Sequence, residues 1–267
     1  MGDTMAVYGR LLAARIRGQW QYRTSFFVYL AAQFTITLLD FLVLLVIFTH
    51  VPRFAGWSLW EVALLYGLAG VSFRLADLVV SQVEYLPRHL LAGSFDRMLV
   101  RPLGALVQLS AEEFELRRVG TLAEALLVLG LAIAHVPVHW TWARVAVLVS
   151  SALSGAVIFA CIWILGAAFT FLVVDGREFI NAFTYGGNFL SQYPLQIYGT
   201  ALRIILGIVV PIGFAAFFPV LYILGKPDPV TGVAVIRFLS PAVAAAMALL
   251  TRAAWRGAIR HHRSTGS

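Results

Sequence analysis

Six apolar runs, each long enough to cross a lipid bilayer, constrain this chain more than anything else in it: 25–49, 60–82, 115–135, 143–174, 202–224 and 236–254. A spanning helix needs about 20 mainly apolar residues. Inside lipid every backbone N–H and C=O must be satisfied within the protein, which helices achieve locally. The runs therefore predict an all-α, polytopic membrane protein with about six transmembrane helices. Composition agrees: of 267 residues 60% are hydrophobic and 12% charged, where soluble domains carry about 25% charged residues. Mean hydropathy is +0.85. So few charges cannot cover the surface of a water-soluble protein of this length, so lipid must be the solvent for much of it.

The first run is not read as a secretory signal, because it is long enough to span by itself and a signal's apolar core is shorter, about 7–15 residues. The Met-Gly start lacks the Ser or Thr that myristoylation needs, since Ala6 stands there. One membrane domain over residues 1–267 is expected, with no fixed-period repeat and no soluble second domain.

The cations set the orientation, since cytoplasmic loops are enriched in Lys and Arg. The net charge is +7, and Lys226 is the one lysine. One side of the membrane collects Arg10, Arg15, Arg17 and Arg23, then Arg88, Arg97, Arg101, Arg117 and Arg118, then Arg177 and Arg203, and finally Arg252, Arg256, Arg260 and Arg263. The other side holds Arg53, Arg144 and Lys226, and Arg74 and Arg237 fall within spans. The arginine-rich side is expected to be the cytoplasm, with both termini there. These arginines flank apolar runs rather than forming a basic stripe, so anionic lipid headgroups are the expected partner and nucleic acid is not.

Residues 4–23 predict an interfacial helix. Tyr8, Leu11, Leu12, Ile16 and Trp20 recur at helical spacing, with Arg10, Arg17 and Gln21 largely opposite. Residues 179–200 could be counted as a seventh span, but that would place the C-terminal arginines outside. They are read instead as a re-entrant or interfacial helix pair, broken at Gly186-Gly187 and Pro194, with Tyr185, Tyr193 and Tyr198 suited to the headgroup region. Ser110-Ala-Glu-Glu113 has the form of a capping box starting the helix that enters the third span.

Catalytic chemistry finds little support. Gly225-Lys226 lacks the upstream glycine of a phosphate-binding loop and is followed by Pro227. His135 and His139 stand four apart, but Pro137 breaks any helix between them, against a metal site. Cys161, the single cysteine, lies in an apolar run and reads as a small packed residue. No catalytic, cofactor-binding or metal-binding residue is assigned.

Charges inside the membrane are costly and are usually paired or functional. Arg74 and Asp77 lie three apart in the second run, on neighbouring positions of one helix face. They form either a structural pair against another helix or part of a translocation path. Asp40 in the first run is a further candidate member.

The segment after the second run carries the strongest functional signal. Gly93 can end one helical turn and Ser94 can cap the next. Phe95, Asp96, Met98 and Leu99 then fall on a short helix over 94–100, and Pro102 stops it. Phe95, Met98 and Leu99 give it an apolar face, which a solvated loop would not keep. A short helix held between two spans is something a docked partner can push on.

The run Gly-Ser-Phe-Asp-x-x-Leu-x-x-Pro-Leu at 93–103 resembles the cytoplasmic coupling helix of type-2 ATP-binding cassette (ABC) exporter permeases. The tail Trp255-Arg-Gly-Ala-Ile-Arg, the run Tyr193-Pro-Leu-Gln-Ile-Tyr, and the pairs Val210-Pro211 and Phe218-Pro219 are similar to a bacterial branch of that family. The resemblance implies two such permeases, identical or different, forming an export path in the bacterial cytoplasmic membrane. It implies separate cytoplasmic ATPase subunits beneath them, which would hold the ATP and Mg. Substrates of the family include drugs, antibiotics, lipids and polysaccharide precursors. Two other classes fit the bare spans. An ion-coupled secondary transporter would show broken helices and midplane carboxylates, and a structural or assembly subunit of a membrane complex would need no path.

Overall fold

The computed structural model describes residues 23–112, 117–172 and 177–261. Among them are eleven α-helices and no strand beyond an isolated bridge between Phe54 and Trp57. In chain order they are α1 (Arg23–His50), α2 (Leu59–Val80), α3 (Leu86–Leu91), α4 (Ser94–Leu99), α5 (Ala105–Glu112) and α6 (Arg117–His135). There follow α7 (Trp142–Phe169), α8 (Arg177–Ser191), α9 (Thr200–Ile204), α10 (Phe217–Leu224) and α11 (Ser240–His261). The expected interfacial helix at 4–23 lies outside the described residues.

Among the described residues four helical stretches are long and apolar enough to span: Leu59–Leu91, Arg118–His135, Trp142–Phe169 and Ser240–Arg260. A fifth candidate is a pair, Thr200–Val209 and Ile212–Leu224, bent by 68°. The first expected run falls on α1, whose 28 residues extend roughly 42 Å at the helical rise, with an apolar stretch described at Phe27–Ile36. Arg237, counted above inside a span, sits in the 3₁₀ turn Ala234–Phe238 that precedes α11.

The bend replaces the straight span expected over 202–224, and proline is the reason. The chain unwinds through a π turn at Ile205–Val209, and Pro211 cannot donate the next helical hydrogen bond. Pro219 likewise leaves the Ala215 carbonyl without its helical donor. Ser72 Oγ of α2 lies 3.5 Å from that carbonyl and donates to it, and Ser240 Oγ donates to the Phe214 carbonyl at 2.7 Å. Broken backbone is tolerated at membrane depth when other groups satisfy it in this way.

The centre of the bundle is α2, packed on α6 and α7. Glycines let the backbones close up. A Cβ on Gly67 would lie 2.7 Å from the Leu129 Cα, and one on Gly155 would lie 2.5 Å from Ser72 Oγ and 2.9 Å from the Ala215 Cβ. Around this contact Phe73, Phe159 and Trp163 are fully buried, with Phe73 4.9 Å from Trp163 and 5.4 Å from Phe159 between ring centroids. Tyr185 of α8 closes the cluster, 5.6 Å from Phe73.

Two local corrections follow from packing. The glycine pair Gly186-Gly187 does not break the 179–200 segment, because α8 runs through it to Ser191 before the chain turns at Pro194. Gly187 instead admits Ile212, whose Cδ1 would lie 2.5 Å from an added Cβ. Ser110 does not cap a helix start, because it lies inside α5, which begins just after Gly104; Glu113 lies outside the described residues.

Candidate functional site

The two ends of the bundle are built differently. At one end Ser58 precedes α2 and its N–H donates to Glu61 Oε2 at 2.7 Å. Lys226, in the loop after α10, pairs with Glu61 at 3.1 Å, donates to the Gly56 carbonyl at 2.9 Å and lies 5.3 Å over the Trp57 ring. His135, weighed above as a metal ligand, stacks here on Trp60 at 4.3 Å. Short loops are stapled together at this end. The other end gathers α3, α4, α5 and the C-terminal half of α11.

At that second end the sequence-predicted short helix is present. Gly93 adopts a left-handed conformation with φ +64, which a side chain would strain, and so separates α3 from α4. The cap differs from expectation: Gly93 is the N-cap, and Ser94 is the first helical residue. The Ser94 hydroxyl turns back to His89, 2.9 Å from its Nδ1. Pro102 lies in the break before α5, and Gln108 of α5 holds the exit of α4 by donating to the carbonyls of Met98 at 2.8 Å and Leu103 at 2.7 Å.

The orientation of α4 is not the one its apolar pattern suggests. Phe95 and Met98 point into the protein, at 1% and 7% exposure. The Phe95 ring meets Phe171 at 5.4 Å, and Phe171 meets Trp255 of α11 at 5.9 Å. An aromatic chain thus ties α4 to the region after α7 and to α11. The outward surface is formed by Leu91, Leu99 and Val100, at 71%, 40% and 85% exposure, with the exposed arginines Arg88, Arg97 and Arg101 around them. Asp96 lies half-buried in the first turn of α4, where a carboxylate suits the helix dipole.

A buried polar cluster lies immediately above. Asp77 and Arg74 are 3.8 Å apart, as their spacing predicted. The main partner of Asp77, however, is Arg118 of α6, which donates to its carboxylate and to the hydroxyl of Ser81. Glu84, also buried, accepts from the Tyr185 hydroxyl at 3.3 Å, which joins α8 to the same cluster. In the sequence Arg118 reads as a topology signal, and neither Ser81 nor Glu84 stands out. Their spacing from Asp77, four and seven residues, marks one helix face and was the available signal. Asp40 lies in α1, with its side chain outside the described ones.

The turn after α8 is held by similar means. Arg203 Nη2 donates to the carbonyls of Gln196 at 3.1 Å and Tyr198 at 3.2 Å. Burial, with a smaller contribution from nearby Tyr193, pushes the Tyr198 phenol up to about 12. It therefore stays protonated and donates to the Leu190 carbonyl at 2.9 Å.

An all-α bundle of spanning helices, with a short amphipathic helix anchored between two of them at one end, is that of a multi-pass membrane protein. The sequence profile of the ABC-2 family transporter proteins matches residues 34–266, and the chain belongs to that family. It is a multi-pass membrane protein and a permease-type subunit of an ABC transporter; such a subunit is the membrane component rather than the ATPase, and it works with an ABC ATPase. No curated protein and no solved structure matches the chain.

Proposed function

We propose that this chain is the permease of an ABC exporter, paired with a second permease, identical or different, in the bacterial cytoplasmic membrane with both termini in the cytoplasm. The observation that carries this is the joint one: the family match over 34–266, and α4 standing at the arginine-rich end with its outer face apolar. ATP and Mg are held by the separate ATPase. Its closure pushes on α4 through Leu91, Leu99 and Val100. Phe95 and Met98 do not touch the ATPase; they transmit the push through Phe171 to Trp255 and α11. Asp96, Gly93, Ser94 and Pro102 fix the helix in place. Packed helices respond to such a push by shifting as rigid bodies. Substrate enters from the cytoplasm or the inner leaflet, because the opposite loops are short and form no capture domain.

The bent pair at Pro211 and the buried carboxylate of Asp77 are features an ion-coupled carrier would share, but Asp77 is already bound by Arg118. The cavity beside the bend, about 360 Å³, is lined by apolar residues including Ile162, Phe169, Phe183, Pro211 and Met247. Such walls offer no carboxylate to an ion, and the broken backbone is already satisfied by Ser72 and Ser240. The deciding experiment is affinity purification from native membranes. A co-purifying protein that carries an ATP-binding cassette and hydrolyses ATP supports the exporter; transport that persists without ATP and follows an ion gradient contradicts it.

A further inference from the structure

The Ser81–Tyr85 turn, α3, the start of α4 and α5 surround a cavity of about 240 Å³ for which the coupling mechanism has no use. Its walls include Gln82, Tyr85, Arg88, His89, Ser94 and Leu109, and among the described residues no carboxylate lines it. Glu84, the acidic residue of the Ser81–Tyr85 turn, bonds Tyr185 of α8 instead.

Three observations point to one ligand chemistry. Gln82 is 6% exposed, and its Nε2 has no hydrogen-bond partner among the described residues. A buried donor left unsatisfied costs about 1–3 kcal/mol, so an acceptor delivered to it is favoured. The Arg88 guanidinium lies 4.7 Å over the Tyr85 ring, which fixes a cation and its fork of donors at the cavity rim. The hydrogen bond between His89 Nδ1 and Ser94 Oγ, 2.9 Å long, closes the wall against α4. A buried amide donor and a stacked guanidinium, with no acidic side chain among the described lining residues, suit a ligand that is anionic and accepts hydrogen bonds on several oxygens. The space holds several water-sized groups, each of which takes about 30 Å³ in the liquid.

We infer that this cavity is a binding site for a phosphate-type oxyanion, held between Gln82 and Arg88 at the root of α4. Two sources carry that chemistry: the headgroup of an anionic phospholipid, and free phosphate. The site does not depend on an ATPase partner, and its test uses the permease alone.

The full-length chain is placed in nanodiscs of phosphatidylcholine, and binding of radiolabelled inorganic phosphate is measured by equilibrium dialysis. Arg88→Gln and Gln82→Glu each weaken binding at least tenfold, while Arg53→Gln, at the opposite end, leaves it unchanged. Arg88 is exposed, so its variant folds and keeps the test valid even where Gln82→Glu does not. Nanodiscs containing phosphatidylglycerol then separate the sources. If the headgroup is the occupant, phosphate binding falls at least tenfold there, and native mass spectrometry finds phosphatidylglycerol retained by wild type but lost from Arg88→Gln. If free phosphate is the occupant, its binding is equal in the two lipids. The inference is overturned if wild type holds neither phosphate nor phosphatidylglycerol more tightly than Arg88→Gln and Gln82→Glu do.

Discussion

Arg118, at the start of α6, donates to the carboxylate of Asp77 in α2, and with it to the hydroxyl of Ser81 one turn further along. The bond joins two spanning helices where Asp77 is 5% exposed. Arg74, on the same helix as Asp77, is the longer contact at 3.8 Å. Removing one member of a buried pair leaves an uncompensated charge, at a cost of about 3–5 kcal/mol.

Arg118→Leu should therefore lower the amount of inserted protein and its melting temperature in detergent far more than Arg74→Leu. Adding Asp77→Leu to Arg118→Leu should recover part of the loss, because the buried carboxylate is no longer stranded and the charge left without its partner, Arg74, is the more exposed one. Equal losses for the two arginine variants would show that Asp77 does not depend on α6.

Glycine contacts make a second, independent prediction. Gly67→Ala and Gly155→Ala must push neighbouring backbone or side chains away, and such overpacking costs about 1–3 kcal/mol. Gly130→Ala meets nothing within 4 Å and should be silent. Thermal unfolding of the three variants in one detergent checks this; destabilisation by Gly130→Ala alone would contradict the packing.

Phe95 and Leu99 should separate anchoring from docking. Phe95→Ala empties a buried site beside Phe171 and should destabilise by about 3 kcal/mol. Leu99→Ala, at a surface position, should change stability by less than about 0.5 kcal/mol but weaken ATPase binding. Melting temperature and co-purification, measured on both, give opposite orders if the assignment holds.

Topology is tested by cysteine labelling with Cys161 replaced. Ser264→Cys should react with an impermeant external reagent only after the cells are opened. Labelling in intact cells would reverse the orientation argued from the arginines.

Most of the spans and the short helix at α4 were legible in the sequence, because length and a glycine before an apolar turn are local properties. The inward side of α4 was not. A helix of six residues makes under two turns, so its periodicity marks an apolar face without saying whether protein or partner covers it. The role of Arg118 was hidden for a related reason: the spacing of Arg74 and Asp77 is visible along one helix, whereas the register between α2 and α6 exists only once they pack. Gly186-Gly187 looked like a break because glycine is a weak helix former, yet within a bundle the same residue allows Ile212 to approach. Pro211 and Pro219 are visible as residues; the carbonyls left open along the bent pair are met by Ser72 and Ser240, which lie far away in sequence.

The central claim is that the outer face of α4 receives an ATPase. The most direct measurement is co-purification of the ATPase with wild-type permease and with Leu99→Asp at matched membrane levels. Burying a carboxylate without a counter-charge in an apolar contact costs several kcal/mol, and each 1.4 kcal/mol is about tenfold in affinity. Leu99→Asp should thus insert normally and lose the ATPase by a factor of about 100 or more. Undiminished co-purification and transport would contradict the account.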